Sequence, residues 1–184
     1  MSTHPSPTFS KTTSGSRLPL VALPQTGLLT VNTEEVPPVK DSLGPGVDVT
    51  VLRLDMESGT WVLQATVPAG FEFPIHYHTG PAEVFTLQGR WLYKEYPHDP
   101  QIAGSYLYEP GGSVHTFYTP EDNTEDTVMF IRVAGANVNF TEAGAFHSIV
   151  DAVSIQYLVD KSVAAGVKGL RYINGSATVI AGDE

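Results

Sequence analysis

The sequence predicts an all-β fold, a β-sandwich, jelly roll or small barrel, with one short helical segment near the C-terminus. Three observations carry this expectation. From Val47 onward, short apolar runs with period-two alternation follow one another at close spacing. Glycine or proline separates them, as at Gly59, Pro68, Gly70, Gly80 and Pro81. No long stretch of helical spacing interrupts the series before Asp151, which argues against alternating β-α-β units.

The elements follow in order. Residues 1–17 are rich in Ser and Thr, carry Pro5 and Pro7, and contain no acid; they are expected to form a disordered arm. Residues 18–46 hold short apolar runs (LPLVALP, TGLLTV, EVPPV) cut by proline and glycine. Such runs suit edge strands, and an arm that reaches a neighbouring copy in a homodimer or tetramer. Residues 47–184 are expected to be the main domain. VDVTVLRLD and WVLQATV alternate on either side of a Ser-Gly-Thr turn, which predicts a hairpin. FEFPIHYH, EVFTLQG, RWLYKEY, SYLYEP, VHTFYTP and TVMFIRV supply further strands. Asp151 predicts the N-cap of a helix running to about Ala165, with Gly166 as its stop, packed outside the barrel.

Composition narrows the function. With 41% hydrophobic and 16% charged residues, the chain is globular rather than disordered. A net charge of −10 at pH 7 repels phosphate backbones, so no nucleic-acid partner is expected. The absence of cysteine excludes disulfides, thiolate ligands and cysteine nucleophiles. No apolar run of about 18 residues is present, so no membrane partner is expected. The start lacks the apolar stretch of a secretory leader. A cytoplasmic protein is the expectation.

Two of the six histidines, His76 and His78, stand one residue apart. On a strand their imidazoles share a face while Tyr77 points away, so together they can chelate one divalent ion. Gly70 precedes this pair and Gly89 follows it; Gly104, Pro110, Gly112 and His115 come next. These residues resemble the two motifs of the cupin superfamily, G-x5-H-x-H-x3,4-E-x6-G and G-x5-P-x-G-x2-H-x3-N, over roughly residues 47–135. The resemblance implies a double-stranded β-helix, or jelly-roll barrel, with a metal-binding core across residues 70–119. It also implies that His76, His78 and His115 converge on one metal.

Two positions depart from the motifs. Thr119 stands where the second motif ends in Asn. Glu83 fits the spacing from His78 but lies one residue too close to Gly89, and counting back from Gly89 reaches Ala82 instead. A one-residue slip reverses the facing of a strand side chain. Glu83 therefore ligates through a bulge, lies behind a ligand, or faces away; a site of three histidines without a carboxylate ligand is favoured.

Within the superfamily, HYHTG, TLQGRW and GSYLYEPGGSVHT resemble the group of acetylacetone dioxygenase and 2,4'-dihydroxyacetophenone dioxygenase. That likeness implies a non-haem Fe(II) dioxygenase that uses O2 to cleave a C–C bond next to a carbonyl in a small hydroxyketone or diketone. Three imidazoles also accept Zn, Mn, Ni or Co. A non-redox isomerase or hydrolase in the same fold, and a ligand- or metal-sensing cupin without turnover, are the alternatives.

Other residues have two readings each. Glu109, six before His115, is either a rim carboxylate or the partner of that histidine's outer nitrogen. Trp91 and Tyr93 share a strand face and are first of all core, although Tyr93 can also touch a substrate. With Tyr106 or Tyr108 they are expected to form an aromatic pocket. His4, His98 and His147 read as surface or turn residues, and EDNTED (residues 121–126) as a solvated loop.

Overall fold

The structure is a computed structural model that describes residues 8–22, 29–175 and 180–182. It divides into two compact units, Met1–Thr30 and Val31–Glu184. In the first, β1 (Thr8–Lys11) and β2 (Arg17–Ala22) form an antiparallel hairpin. Its turn is closed by the Gly15 amide donating to the Thr12 carbonyl at 2.9 Å and by the Ser16 amide donating to Thr12 Oγ1 at 3.0 Å. Part of the stretch expected as a disordered arm is therefore strand: local turn chemistry closes a hairpin that composition alone does not reveal. His4 lies outside the described residues.

In the second unit the strands are β3 (Asp48–Asp55), β4 (Thr60–Val67), β5 (His76–His78), β6 (Ala82–Gln88), β7 (Arg90–Tyr93) and β8 (Gln101–Ile102). They continue with β9 (Tyr106–Glu109), β10 (Val114–His115), β11 (Phe117–Tyr118), β12 (Thr127–Ala134), β13 (Asn137–Phe140) and β14 (Phe146–Val150). Helix α1 (Ala152–Ala164), β15 (Arg171–Asn174) and β16 (Ile180–Gly182) follow. A seven-stranded sheet runs β16-β15-β3-β4-β12-β6-β9, a four-stranded sheet β10-β5-β13-β14, and a three-stranded sheet β11-β7-β8. This is the all-β jelly roll with a short helix that the sequence predicts.

The β3–β4 hairpin forms as expected, with Asp55 opposite Thr60 at the turn. Asp55 Oδ1 accepts from the amides of Glu57 and Ser58, both at 3.2 Å, so a buried carboxylate organises the turn backbone. Trp61, Leu63, Ala65 and Val67 alternate along β4 and are all buried. Each large apolar side chain buried in this way contributes about 1.5–3 kcal/mol. Residues 31–46, expected in the arm, lie in the second unit: Val39 pairs with Val49 and is buried beside it.

Asp151 caps α1 as predicted. Its Oδ1 accepts from the Ser154 amide at 2.7 Å, and Ser154 Oγ accepts from the Asp151 amide at 2.8 Å, a reciprocal cap. Ala152, Ile155 and Val159 bury one face of the helix, and Gly166 ends it at φ +93°. Among the described residues no helix is long and apolar enough to cross a membrane.

Two local features set the facing of the strands around the site. The β6–β12 register skips a residue, pairing Gln88 with Val128 and Thr86 with Met129, so Leu87 is a bulge. Beyond it, Gly89 turns at φ +76°, and a Cβ there would lie 2.8 Å from the Thr127 Cα and 2.9 Å from the Asp126 carbonyl oxygen. Thr119, where the motif has Asn, is fully buried. Its Oγ1 donates to the Pro68 carbonyl at 2.6 Å and accepts from the Phe71 amide at 2.9 Å. It thus ties the end of β11 to the β4–β5 loop and has a structural role.

Gly89→Ala combines left-handed backbone strain with a clash against backbone atoms. It should lower stability by about 2–4 kcal/mol. Urea unfolding at neutral pH checks this, and a loss under about 0.5 kcal/mol contradicts the close approach.

Candidate metal centre

The site grows from period-two geometry. On β5, His76 and His78 are buried and Tyr77 is exposed, so the two imidazoles share the inner face. Strand β10 pairs antiparallel with β5 and sets His115 opposite His76. The ring centroids of the three histidines lie 4.8–5.0 Å apart. Each offers a ring nitrogen within 4.8 Å of the others, and all three residues are buried.

A hydrogen bond orients the ring of His76, while both ring nitrogens of His78 are buried without partners. His76 Nδ1 contacts the Pro74 carbonyl at 3.0 Å, which fixes its ring and leaves Nε2 as the free nitrogen. Burial lowers the His76 pKa to about 4, against the smaller upward pull of the Pro74 carbonyl. The ring is therefore neutral at pH 7, the form that ligates a metal. His78 Nε2 and His115 Nε2 are buried without hydrogen-bond partners. Orphaned buried acceptors of this kind are costly unless something fills the space between them.

Glu109, on β9, completes the cluster. Its Oε2 lies 2.9 Å from His78 Nε2 and 3.3 Å from His115 Nε2. These contacts are close, yet all three atoms lack an aligned hydrogen-bond partner. The spacing suits donors that share an ion: ligands about 2.0–2.1 Å from one metal stand roughly 2.9–3.4 Å apart. Burial pushes the Glu109 carboxyl up, but the two imidazoles outweigh it and hold the group well below the usual carboxylate range. Tyr93 donates its hydroxyl to Glu109 Oε1. Its ring stacks on His115, with centroids 3.8 Å apart and planes at 20°. Tyr93 thus braces two members of the cluster. Burial, with Glu109 beside it, raises the Tyr93 pKa well above its ordinary value, so it remains a donor.

The other expectations resolve by strand facing. Ala82 is buried and faces inward, while Glu83 faces away and pairs with Arg132 at 2.9 Å. Ala82 is hydrogen-bonded in register with Glu109. The carboxylate beside the three histidines is therefore Glu109 of β9, across from the position where the motif would place one on β6. Tyr106 and Tyr108 are exposed and do not join the pocket, because inward Glu109 fixes them on the opposite face of β9. His98 and His147 are exposed. In the loop of residues 121–126, Asp122 pairs with Arg90 at 2.5 Å, and Asn123 Nδ2 donates to the Arg90 carbonyl at 2.7 Å; the rest is solvated as expected.

The cluster opens on a cavity of about 100 Å³. All three sheets of the second unit contribute to its walls, which are mostly apolar: Leu63, Phe71, Trp91, Phe117 and Met129 among them. His76, His78, Tyr93 and Glu109 form its polar end. The arrangement can hold a divalent ion and present its open side to a small molecule with an apolar body.

Comparison with known proteins agrees with this fold. Residues 26–137 match the model of the ChrR cupin-like domain family. A protein of unknown function with a cupin-like fold from Ralstonia eutropha JMP134 is 40% identical over 87% of this chain and 99% of its own, with a TM-score of 0.79. A second cupin from the same organism is 26% identical over 78% of this chain and 92% of its own, with a TM-score of 0.70. An acetylacetone dioxygenase from Acinetobacter johnsonii shares the fold at 18% identity, covering 74% of this chain and 93% of its own, with a TM-score of 0.60. No curated protein matches the chain. The chain belongs to the ChrR cupin-like domain family, within the cupin superfamily.

Proposed function

We propose that the protein is an Fe(II)-dependent dioxygenase that cleaves a C–C bond next to a carbonyl in a small ketone. The observation that carries this reading is the convergence of His76, His78 and His115 on one buried point, with Glu109 beside His78 and His115, at the end of an apolar cavity. His76, His78 and His115 would hold the ion through neutral nitrogens, and Glu109 Oε2 would stand beside them as a carboxylate ligand. Fe(II) held there would supply the electrons that let O2 react with carbon, which closed-shell zinc cannot do.

The chain's own residues do the rest. Three imidazoles and one carboxylate leave the bound ion a net positive charge, which favours a substrate chelating through two oxygens, one of them anionic. Tyr93 holds Glu109 Oε1, so that Oε2 stays directed at the centre. Trp61 and Trp91 line the cavity but spend their indole N–H groups internally, on the Gly135 carbonyl and Thr86 Oγ1, both at 2.9 Å. The wall thus presents apolar surface to the substrate body and excludes water. The reaction balances without an external reductant. One C–C bond breaks, and the two oxygen atoms of O2 end in the two carbonyl products. An aryl hydroxyketone is the first substrate class, because Phe71, Phe73, Trp91, Tyr93 and Phe117 supply aromatic walls; a β-diketone is the second.

We also propose a homodimer or larger assembly. Val114, Tyr77, Val138 and Ile149 form one cross-strand row on the outer face of the four-stranded sheet. Val114, Tyr77 and Ile149 are exposed, a surface that a second copy would cover.

Three tests follow from this reading. His115→Ala should reduce metal affinity by more than the roughly 10–100-fold that loss of a supporting group costs, and Glu109→Gln by about tenfold or more. Glu83→Gln should leave affinity unchanged in the same chelator competition. Equal losses for Glu83→Gln and Glu109→Gln would remove Glu109 from the site. The iron-loaded protein should consume O2 with a hydroxyketone or diketone, and labelled oxygen gas should enter the acid product, while the zinc-loaded protein stays inactive. Anaerobic turnover with zinc would establish an isomerase or hydrolase instead, and tight ligand binding without turnover by either form a sensing role. Light scattering at micromolar concentration should give at least a dimer; a monomer refutes the assembly.

A further inference from the structure

Beyond the metal cluster, the cavity holds one more polar side chain whose chemistry is unspent. Asn137 lies on β13, directly opposite His78 on one side and Val150 on the other. All three residues line the cavity. The Asn137 Oδ1 atom is buried and has no hydrogen-bond partner. Apart from His78 Nδ1, which is also buried without a partner, the other polar side chains of the wall are spent. Tyr93 is bound to Glu109, both indole N–H groups are bound to the protein, and His76, His78 and Glu109 belong to the cluster. A buried acceptor without a donor costs stability, so a donor supplied by a ligand recovers what folding leaves unsatisfied.

Asn139, two residues on, is the natural comparison. It pairs in register with His76, and its Oδ1 is also buried without a partner. Its amide nitrogen, however, donates to Ser148 Oγ at 2.9 Å, and its side chain lines a separate groove with His147, Ser148 and Tyr157 rather than the metal cavity. Asn137 alone combines a free acceptor, a place in that cavity and a position beside a histidine of the cluster.

We propose that Asn137 is a specificity-determining residue whose Oδ1 accepts a hydrogen bond from a hydroxyl of the bound substrate, selecting hydroxyketones over diketones. The inference rests on the metal centre proposed above. Bound as its enediolate monoanion, a hydroxyketone brings one anionic oxygen and one hydroxyl to the centre, and only the hydroxyl carries a proton to donate. A diketone brings two acceptors. Set against Asn137 Oδ1, its second oxygen meets another lone pair and leaves the amide oxygen unsatisfied. Discrimination arises from that unpaired polar group rather than from size.

The test uses binding rather than turnover. The full chain is loaded with cobalt(II), and its visible spectrum is titrated anaerobically with two probes of one carbon skeleton, hydroxyphenylpropanone and phenylpropanedione. The wild-type protein should bind the hydroxyketone more tightly. Asn137→Ala should weaken hydroxyketone binding about tenfold while changing dione binding less than about twofold, at unchanged cobalt content. Asn137→Asp keeps an acceptor oxygen in the same place and should restore hydroxyketone binding to within about threefold of wild type. Equal losses for both probes in Asn137→Ala, or none for either, overturn the proposal. Asn137→Asp matching Asn137→Ala overturns the acceptor role. Failure of the wild-type protein to take up cobalt overturns the metal centre itself, and with it any role for Asn137 there.

Discussion

The antiparallel register of β5 against its two neighbours is the constraint on which the rest of the centre depends. Strand β5 is only three residues long, yet it places His115 opposite His76 on one side, and Asn139 and Asn137 opposite His76 and His78 on the other. Shifting either pairing by one residue would turn its inward side chains to the outer face. The inner face of the four-stranded sheet is therefore a polar island inside an apolar shell. It is sustained because backbone ladders fix where each imidazole points before any side-chain contact is made.

Brace and cluster are organised on different sheets. Tyr93 belongs to the three-stranded sheet, Glu109 to the seven-stranded sheet and the histidines to the four-stranded sheet. The Tyr93 hydroxyl and ring tie all three together at one point. A buried carboxylate is tolerated only when its oxygens find partners, and the phenol provides one for Oε1.

Much of this was legible in the sequence, and what was not has a physical cause. The three histidines were readable because period-two facing and turn glycines are local properties. So were the β3–β4 hairpin and the Asp151 cap. The role of Glu109 was only half legible: its spacing from His115 drew attention, but its pairing with Ala82 is a long-range register that no local pattern encodes. The outward facing of the β9 tyrosines is legible only once Glu109 is known to point inward, because Tyr106 and Tyr108 then take the opposite face. The hairpin at Thr8–Ala22 was missed because Ser- and Thr-rich composition hides a turn built from the Thr12 side chain.

The bulge at Leu87 has a consequence for how such barrels change over time. It separates two demands made on β6, the facing of residues beside the histidines and the placement of the Gly89 turn. A residue gained or lost at the bulge alters the count between them without moving Ala82 or the backbone opposite Glu109. Strand length and site chemistry can then vary independently. A carboxylate can sit on one strand or on its neighbour while the strands keep their pairing, and a fixed-interval motif becomes a poor ruler for where the chemistry sits.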